Sequence, residues 1–323
     1  MVRRIVVVSI LSLLLLLPAC SIRKMAMNQV ADTLTAPGGG AVFTGDNDPE
    51  LVGDALPFAI KLYESLMVSI PWHDGLKRQT GSMYVMYANA FLQAPASMLS
   101  KDEYQQQEFG YRRAKNLYLR GRDIVLSGLE HRYPGFRRQL DARQYDQALV
   151  RVRKSDVPDL YWAAAGWLGA YAIDPLDMDI GLNIPAAAAM MARANELDPR
   201  FNDGAIQDFY VLYYGSLPEY MGGSAAKARE HFARSQVISQ GRLASPFLSL
   251  ATTVSVKEQN LAEFRELLEK VVAMDPDREP ASRLVQTLNI RKARWLLDHA
   301  DDLFVGDETE TDADLSAVPK EKE

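Results

Sequence analysis

Apolar residues recur along the chain with the period of an α-helix from Asp46 onward, and no stretch of comparable length alternates as a strand would. The segment Leu261–Met274 shows this most clearly, with apolar residues on one face and charged residues on the other. The predicted helices cover Asn47–Ser69, Asp74–Leu92, Asp102–Leu129, Pro134–Leu140, Asp146–Val152, Asp156–Tyr171, Ile184–Leu197, Gly204–Ser216, Ser224–Ser239, Ser245–Lys257, Leu261–Met274 and Glu279–Phe304. The pattern predicts an all-α body over residues 46–305.

Some of these predicted helices carry signals about how they start, bend or pack. Asn47 is placed as the N-cap of the first helix, and Pro57 is expected to kink that helix or divide it in two. Gly121 and Gly128 lie in the apolar stripe of the long third helix, where glycine lets a neighbouring helix approach closely. The stretch Tyr161–Tyr171 is apolar on all sides, which predicts a buried central helix too short to cross a bilayer.

A repeat is visible in the second half of the chain. Ala187–Pro199 and Phe264–Pro276 share apolar residues at helical spacing followed by an Asp-Pro pair, and proline blocks continuation of a helix. Ala228–Ser239 looks like a degenerate third copy, and Ser239 lies near the midpoint between the two pairs. This spacing is close to the roughly 34-residue period of tetratricopeptide repeats, which predicts helical hairpins stacked in tetratricopeptide-like fashion around a shared core.

The N-terminus has the order of a bacterial export signal. Two arginines precede the apolar run Ile5–Leu17, which is short for a membrane span, and a Pro-Ala pair leads to Cys20. Residues 1–19 are therefore predicted to be a signal peptide. The cleavage region resembles a lipobox, so Cys20 is the expected lipidation site and membrane anchor; an ordinary secretory signal is the alternative. Ser21, in place of Asp, is consistent with sorting to the outer membrane of a Gram-negative cell.

The flanks of the body differ from it in composition. Residues 20–45 are assigned to the lipid anchor and a flexible linker, because Pro37 and three glycines interrupt any helical pattern. Residues 306–323 form an acidic tail with few apolar residues, which predicts disorder. The formal net charge is −6, and no basic surplus supports binding to nucleic acid. Cys20 is the one cysteine of the chain, so its acylation would leave no thiol for a disulfide.

A search for chemistry finds no catalytic constellation, so the sequence predicts a protein that is not an enzyme and binds no metal or cofactor. The four histidines are scattered without metal-ligand spacing, and phosphate-binding and nucleophile motifs are missing. His231 is read as a packed polar residue. Aromatic residues are more informative, and the candidates for a ligand or pore lining are Trp162, Trp167, Tyr171, Tyr210, Tyr213 and Tyr214. Packing in the core is the competing interpretation of the same residues.

Short segments in a fixed order give the chain its family resemblance. They are Asp48-Pro49-Glu50-Leu51, Tyr118-Leu119-Arg120-Gly121, Val157–Ala164, Met221-Gly222-Gly223-Ser224, Ala228–Phe232, Met274-Asp275-Pro276 and Ala293–Leu297. Together they resemble the T-component of TRAP transporters, the tripartite ATP-independent periplasmic systems, over nearly the whole chain after the linker.

The resemblance implies properties that the residue pattern alone does not give. It implies a periplasmic lipoprotein, a homotrimer with a pore in each subunit, and docking of the solute-binding P-component. It also implies help in delivering a small ligand, with apolar molecules among the candidates. Two other functions stay open: a tetratricopeptide-like scaffold for envelope assembly, and, with least support, a hydrolase whose residues meet only in space.

Overall fold

The computed structural model describes residues 24–36 and 38–305. Residues 24–35 are helical and form α1. The later helices are α2 (Ala41–Thr44), α3 (Pro49–Ser69), α4 (Asp74–Tyr87), α5 (Ala94–Ala96), α6 (Tyr104–Arg132), α7 (Phe136–Asp141), α8 (Tyr145–Leu149), α9 (Val157–Ile173), α10 (Met178–Leu197), α11 (Ala205–Ser216), α12 (Ala225–Ser239), α13 (Ser245–Leu250), α14 (Leu261–Val272) and α15 (Arg283–Asp298). Across those two ranges no strand occurs, so the predicted all-α class is confirmed.

Helix α3 shows how local signals and packing combine. Its N-cap is Asp48, whose carboxylate accepts a hydrogen bond of 3.0 Å from the amide of Leu51, so the prediction of Asn47 as the cap was wrong by one residue. Pro57 lies inside a helix that continues without interruption, so the predicted division there is wrong. Proline removes one backbone hydrogen bond, but burial of the neighbouring Leu56 stabilises the helix across that position.

The three repeat-like segments end helices at corresponding places. Helix α10 ends before Asp198-Pro199, α12 ends at Ser239, and α14 ends shortly before Asp275-Pro276. Helix α10 begins earlier than predicted, at Met178, because Asp177 caps it by accepting hydrogen bonds from the first-turn amides. The segments thus terminate helices as predicted, while their equivalence as tetratricopeptide repeats stays a prediction.

Part of the predicted linker is folded onto the body. Helix α1 buries Ala31 completely, the hydroxyl of Tyr63 donates a 3.0 Å hydrogen bond to the carbonyl of Leu34, and α2 packs against α15. The expectation of a flexible linker over residues 20–45 therefore does not hold for residues 24–35. In the sequence, the short apolar face of such a helix is not distinguishable from linker, because the surface that buries it comes from distant segments. Cys20 and the acidic tail lie outside the described residues.

Two glycines allow a close contact between α4 and α6. A Cβ on Gly121 of α6 would lie 2.6 Å from the carbonyl oxygen of Gly81 on α4, so only glycine permits this approach. On the same helix a Cβ on Gly128 would meet Lys77 at 3.6 Å, an ordinary contact. The predicted role of Gly121 in close packing is therefore confirmed, whereas Gly128 has room for a side chain.

A buried ion-pair network fixes the N-terminal end of α9. Asp159 is fully buried, and its Oδ2 lies 2.6 Å from Arg78 of α4 and 2.8 Å from Arg132 of α6. Arg132 also pairs with Asp156, which in turn accepts a 2.6 Å hydrogen bond from the hydroxyl of Tyr133. These contacts join α4, α6 and α9 at one point, so the register of α9 against both neighbours is defined by charge as well as by apolar packing.

Six helices contact one another in a closed cycle, which we call the inner ring. Helix α3 packs against α4, α4 against α9, α9 against α11, α11 against α13, α13 against α15, and α15 against α3. The closing contact joins the two ends of the chain, because Arg291 of α15 pairs with Glu50 of α3 and Arg283 donates a 3.2 Å hydrogen bond to the carbonyl of Gly45. Helices α6, α10, α12 and α14 lie outside this cycle, each packed on a member of it.

Candidate functional site

The inner face of α9 is an accessible strip of a helix that is otherwise buried. Tyr161, Trp162 and Ala165 are half-buried, while the rest of the same two turns is inaccessible. One edge of this strip adjoins α4 and α6 through the tightly packed Gly166. The other edge adjoins α11, where burial and, to a lesser extent, the nearby carboxyl group of Asp208 raise the pKa of Tyr161. Since α4 and α11 are its ring neighbours, the strip faces the centre of the inner ring.

Aromatic side chains cover this inner face. The rings of Tyr161 and Trp162 meet edge to face at 5.2 Å between centroids, and Phe201 lies 5.3 Å from Tyr161. Such pairs are stabilised beyond their buried area, which makes the surface rigid as well as apolar. The centre of the ring is therefore lined on this side by a fixed aromatic surface of the kind that accepts apolar ligands.

Helices α11 and α13 add a polar group beside that surface. The hydroxyl of Ser245 donates a hydrogen bond to Asp208, and Ser249 lies next to the same carboxyl group. Burial raises the pKa of Asp208, and among the described residues no cation pairs with it. Its second oxygen is inaccessible and without a hydrogen-bond donor. The arrangement ties α11 to α13 and keeps a carboxyl group close to Tyr161.

Helix α15 presents Lys292 to the centre of the ring. Leu288, one turn before it, packs with the α3 cluster, and Gln286 on the opposite flank accepts a 2.9 Å hydrogen bond from the amide of Ala244 just before α13. Lys292 therefore projects between the two ring neighbours of α15, while Arg294 projects outward and is exposed. Surrounding protein desolvates the ammonium and lowers the pKa of Lys292.

Three of the predicted lining residues belong to a different place. Tyr210, Tyr213 and Tyr214 of α11 form an aromatic cluster with His231 of α12, in which the imidazole lies 4.6 Å from Tyr210 and 5.5 Å from Tyr214 between ring centroids. The Nδ1 atom of His231 lies 2.8 Å from the side-chain oxygen of Gln207. His231 is thus a packed polar residue, as predicted. Because α12 lies outside the inner ring, this cluster joins α11 to its outer partner.

Two further candidates on α9 point away from the inner face. Trp167 is 6% exposed and packs under the guanidinium of Arg122, 4.6 Å from the ring centroid, on the α6 side of the helix. Tyr171 is 5% exposed and donates a hydrogen bond of 3.4 Å to the sulfur of Met221. Both contribute to the core. Of the six aromatic residues selected from the sequence, Trp162 is the one on the inner face of the ring.

The inner face also contains residues that sequence reasoning did not select. Tyr161, Asp208 and Lys292 come from three helices that meet only through the ring. The period of apolar residues shows which side of a helix is buried. It does not show which charged residues face inward between helices. The one available signal was Lys292 itself, a lysine within the apolar half of its helix.

The described part of the chain has neither a membrane-spanning helix nor a cluster of metal-binding side chains. Across residues 24–36 and 38–305, no helix is long and apolar enough to cross a bilayer. In the same ranges no group of three or more histidine, cysteine, aspartate or glutamate side chains is placed to hold a metal ion.

The described part of the chain is thus an all-α protein whose helices pack in a ring with aromatic residues on one inner face. The family model of the TRAP transporter T-component matches residues 45–304, and the chain belongs to this family. It is similar to an uncharacterized protein of Treponema pallidum (strain Nichols), with 35% identity over 306 residues, covering 90% of this chain and 95% of that protein. The family is by its description a component of a transport system.

Proposed function

We propose that this T-component is a lipid-anchored periplasmic protein that docks the solute-binding component of a TRAP transporter and assists transfer of its ligand. Two observations support the proposal: membership of the family, and an inner ring whose accessible inner face carries Tyr161 and Trp162. The second observation supports the transfer step, because an aromatic surface on the inner side of the ring can shield an apolar ligand from water. A scaffold for envelope assembly has no such observation in its favour.

The ligand path in this proposal is the space enclosed by the inner ring. A ligand released by the solute-binding component would enter between helix ends and contact the inner face of α9. In this proposal the path is bounded by six helices that contact their neighbours around the cycle.

Docking requires a surface that tolerates contact with another protein. Leu176, Met178 and Leu182, around the start of α10, are 88%, 73% and 53% exposed, and Tyr220 in the turn after α11 is 88% exposed. Tyr171 lies beside both segments, since its hydroxyl hydrogen-bonds the sulfur of Met221 and its ring would be 3.9 Å from a Cβ placed on Gly181. Exposed apolar patches of this kind mark protein contact sites. We assign this patch to the solute-binding component.

The anchor and the assembly state complete the proposal. Cys20 would carry the acyl chains and hold the protein at the outer membrane, and the subunits would assemble as a homotrimer. Replacement Cys20→Ser should release the protein from the membrane fraction into the periplasmic fraction, measured by fractionation of cells. Sedimentation at several protein concentrations tests the trimer.

Affinity capture tests the docking step. A chain starting at Ser21 keeps every contact of the described residues and can be immobilised to bind proteins from a periplasmic extract. Stoichiometric capture of a solute-binding protein is expected, with loss of capture for Tyr220→Ser and retention for Val237→Ser, an equally exposed apolar residue on α12. Capture of an envelope-assembly protein instead would overturn the transport proposal and support the scaffold alternative.

The ligand path is tested by a matched pair of aromatic substitutions. Trp162→Ala removes part of the inner face, whereas Tyr214→Ala removes an aromatic residue of similar burial from the cluster outside the ring. Transfer of ligand from the solute-binding component should fall for Trp162→Ala and remain for Tyr214→Ala, with both variants folded by circular dichroism. The reverse result would place the path at the aromatic cluster.

A further inference from the structure

Exposed apolar residues lie at the start of α1 and in the turn between α3 and α4. The ammonium of Lys24, at the start of α1, lies 5.3 Å from the ring centroid of Trp72 in that turn. Trp72 is 39% exposed, and Val68, near the end of α3, is 84% exposed. The other tryptophans of the chain are half-buried or buried. An exposed tryptophan beside a cation is typical of surfaces that meet the interface between a membrane and water.

Helix α1 is fixed to the body close to the proposed lipid anchor. The indole of Trp72 donates a 3.3 Å hydrogen bond to the side chain of Asn28, and Ala31 is completely buried. Lys24 follows Cys20 by four residues, a length of chain that spans at most about 14 Å. Acyl chains on Cys20 would therefore hold this part of the body near the membrane surface.

A basic segment stands out in an acidic chain. Residues 131–155 contain seven lysines and arginines against two acidic residues, a local surplus of five positive charges, whereas the formal net charge of the whole chain is −6. Arg151, Arg153 and Lys154 of this segment are exposed, next to the exposed Val150. Clusters of basic residues on a surface attract anionic lipid head groups.

Polar contacts place the basic segment at the same end of the molecule as Trp72. The carboxylate of Asp74, two residues after Trp72, lies 2.9 Å from Nδ1 of His131 at the end of α6. Arg78 of α4 donates a 3.3 Å hydrogen bond to the carbonyl of Ser155, just before α9. The exposed residues of this end, which we call the anchor end, are Lys24, Val68, Trp72, Arg151, Arg153 and Lys154.

We infer that the anchor end is a second membrane contact, which lies against a bilayer that contains anionic lipid. The inference rests on the proposed function for the position of the lipid anchor, and it adds a surface of the body itself. Trp72 and Val68 would enter the head-group region, while the basic residues would pair with lipid phosphates. Acyl chains combined with a basic surface hold a protein at a membrane more firmly than either signal alone.

This contact would also set the orientation of the protein. Helix α9 begins at the anchor end and has 17 residues, so it extends about 25 Å away from that end. The apolar patch around Leu176 and Met178, assigned above to the solute-binding component, follows the other end of α9. Contact of the anchor end with the bilayer would thus direct the patch away from the membrane, where a soluble partner can reach it.

Fluorescence of a tethered protein tests the contact. Cys20 is the one cysteine, so a chain that begins at Cys20 can be coupled to a maleimide lipid in vesicles, which reproduces the length of the proposed tether. Brominated acyl chains in the vesicles quench a tryptophan that enters the bilayer. Vesicles of phosphatidylglycerol and phosphatidylcholine in equal parts should quench the fluorescence, and the Trp72→Phe variant should lose most of that quenching. Unquenched fluorescence of the tethered, unmodified protein would overturn the inference.

Two double variants test the basic residues in the same assay. The combination of Arg151→Gln and Lys154→Gln should reduce quenching to the lower level expected on vesicles of phosphatidylcholine alone, because the attraction to anionic lipid is lost. The combination of Arg112→Gln and Arg113→Gln is the control. It removes two exposed arginines about 30 Å along α6 from the anchor end and should leave quenching unchanged. Equal effects of both combinations would reject the anchor end as the contact surface.

Failure of this inference is separable from failure of the anchoring proposal. Release of Cys20→Ser from the membrane fraction of cells, without quenching of the tethered chain, would keep the lipid anchor and reject the contact. Quenching of the tethered chain, with no acyl chains found on Cys20 in cells, would keep the surface and reject the anchor. Loss of capture of the solute-binding component in the Arg151→Gln and Lys154→Gln variant, with quenching unchanged, would assign the anchor end to that protein and overturn the membrane contact.

Discussion

Single charged side chains at buried positions decide how the helices are held together. Asp159 pairs with two arginines from two different helices, and removal of its charge would leave Arg78 without a counter-ion while Arg132 would keep Asp156 and Asp74. By contrast, the pair between Arg234 and Glu230 on α12 has both side chains 55% exposed, where solvent and salt weaken the attraction. Burial, and not the number of ion pairs, therefore determines which of them matters for stability.

Replacement of Asp159 by Asn tests this difference. Asp159→Asn should lower the free energy of unfolding by about 3 kcal/mol, because it leaves the partly buried Arg78 without a counter-ion and removes one of the carboxylates that pair with Arg132. Glu230→Gln, the control, should change it by less than about 0.5 kcal/mol. Urea unfolding followed by circular dichroism measures both. Similar values for the two variants would show that the buried network contributes little.

The aromatic cluster predicts a pH dependence of stability. Burial between Tyr210 and Tyr214 lowers the pKa of His231 in the folded protein. The unfolded chain therefore binds a proton at His231 more readily than the folded protein does. The contribution of the neutral His231 to the free energy of unfolding is complete above about pH 6.5 and is lost as the pH falls below it. The His231 ring resonances should titrate below pH 6.5 by NMR, and His231→Asn should reduce the loss of thermal stability between pH 7 and pH 5. A normal titration of His231 would contradict this.

At the scale of elements, helix contacts depend on where a side chain is missing. Helix α4 can approach α6 only at Gly81 and Gly121, where the backbones meet, and α9 approaches the same region through Gly166. Glycine costs about 1 kcal/mol relative to alanine inside a helix. That cost is offset at the crossing by the burial that close approach allows, and it is not offset where the neighbouring helix leaves room.

A pair of alanine substitutions on α6 separates these cases. Gly121→Ala should destabilise the protein, because its Cβ would overlap the Gly81 carbonyl, and a loss of about 1 to 3 kcal/mol is typical of overpacking. Gly128→Ala should instead stabilise it by up to about 1 kcal/mol through helix propensity. Thermal unfolding gives the sign of each change. The same sign for both would mean that the crossing relaxes to accept a methyl group.

At the scale of the whole molecule, the two ends of the chain depend on each other. Helix α15 contributes to the core shared with α14 and also contacts α2 and α3, which lie at the other end of the sequence. Leu284 of α15 is buried in the same cluster as Leu56 and Ile60 of α3. The inner ring is closed by these contacts, so its opening would affect both ends.

Truncation tests the closure. A chain ending at Ser282 lacks α15 and should show at least about tenfold faster amide hydrogen exchange in α3, equivalent to about 1.4 kcal/mol of lost protection. A chain ending at Val305 keeps every contact of the described residues and serves as the control. Exchange followed by mass spectrometry reports on α3 directly. Unchanged protection of α3 in the shorter chain would show that the N-terminal helices are stable without the closure.

Much of the molecule follows from local pattern. The period of apolar residues located most helices of the body, and the apolar stretch Tyr161–Tyr171 was correctly placed in a buried central helix. Misassignments arose where a neighbour outweighs a local signal. By local pattern Pro57 favours a kink or a division of α3, yet packing keeps that helix continuous. Residues 24–35 have the composition of a linker, yet they form a helix because the body offers a surface that buries its apolar face.

The sequence alone determined the all-α class, the helix ends marked by Asp-Pro pairs and, through ordered motifs, the transporter family. Only the tertiary structure decided that α15 returns to α3 and closes a cycle of helix contacts, and that Tyr210 and Tyr214 face an outer helix while Trp162 does not. The physical reason is that periodicity is a property of one segment, which records how much of a helix is buried. Which residues share a cavity depends on contacts between segments far apart in sequence, and those are fixed by packing of the whole chain.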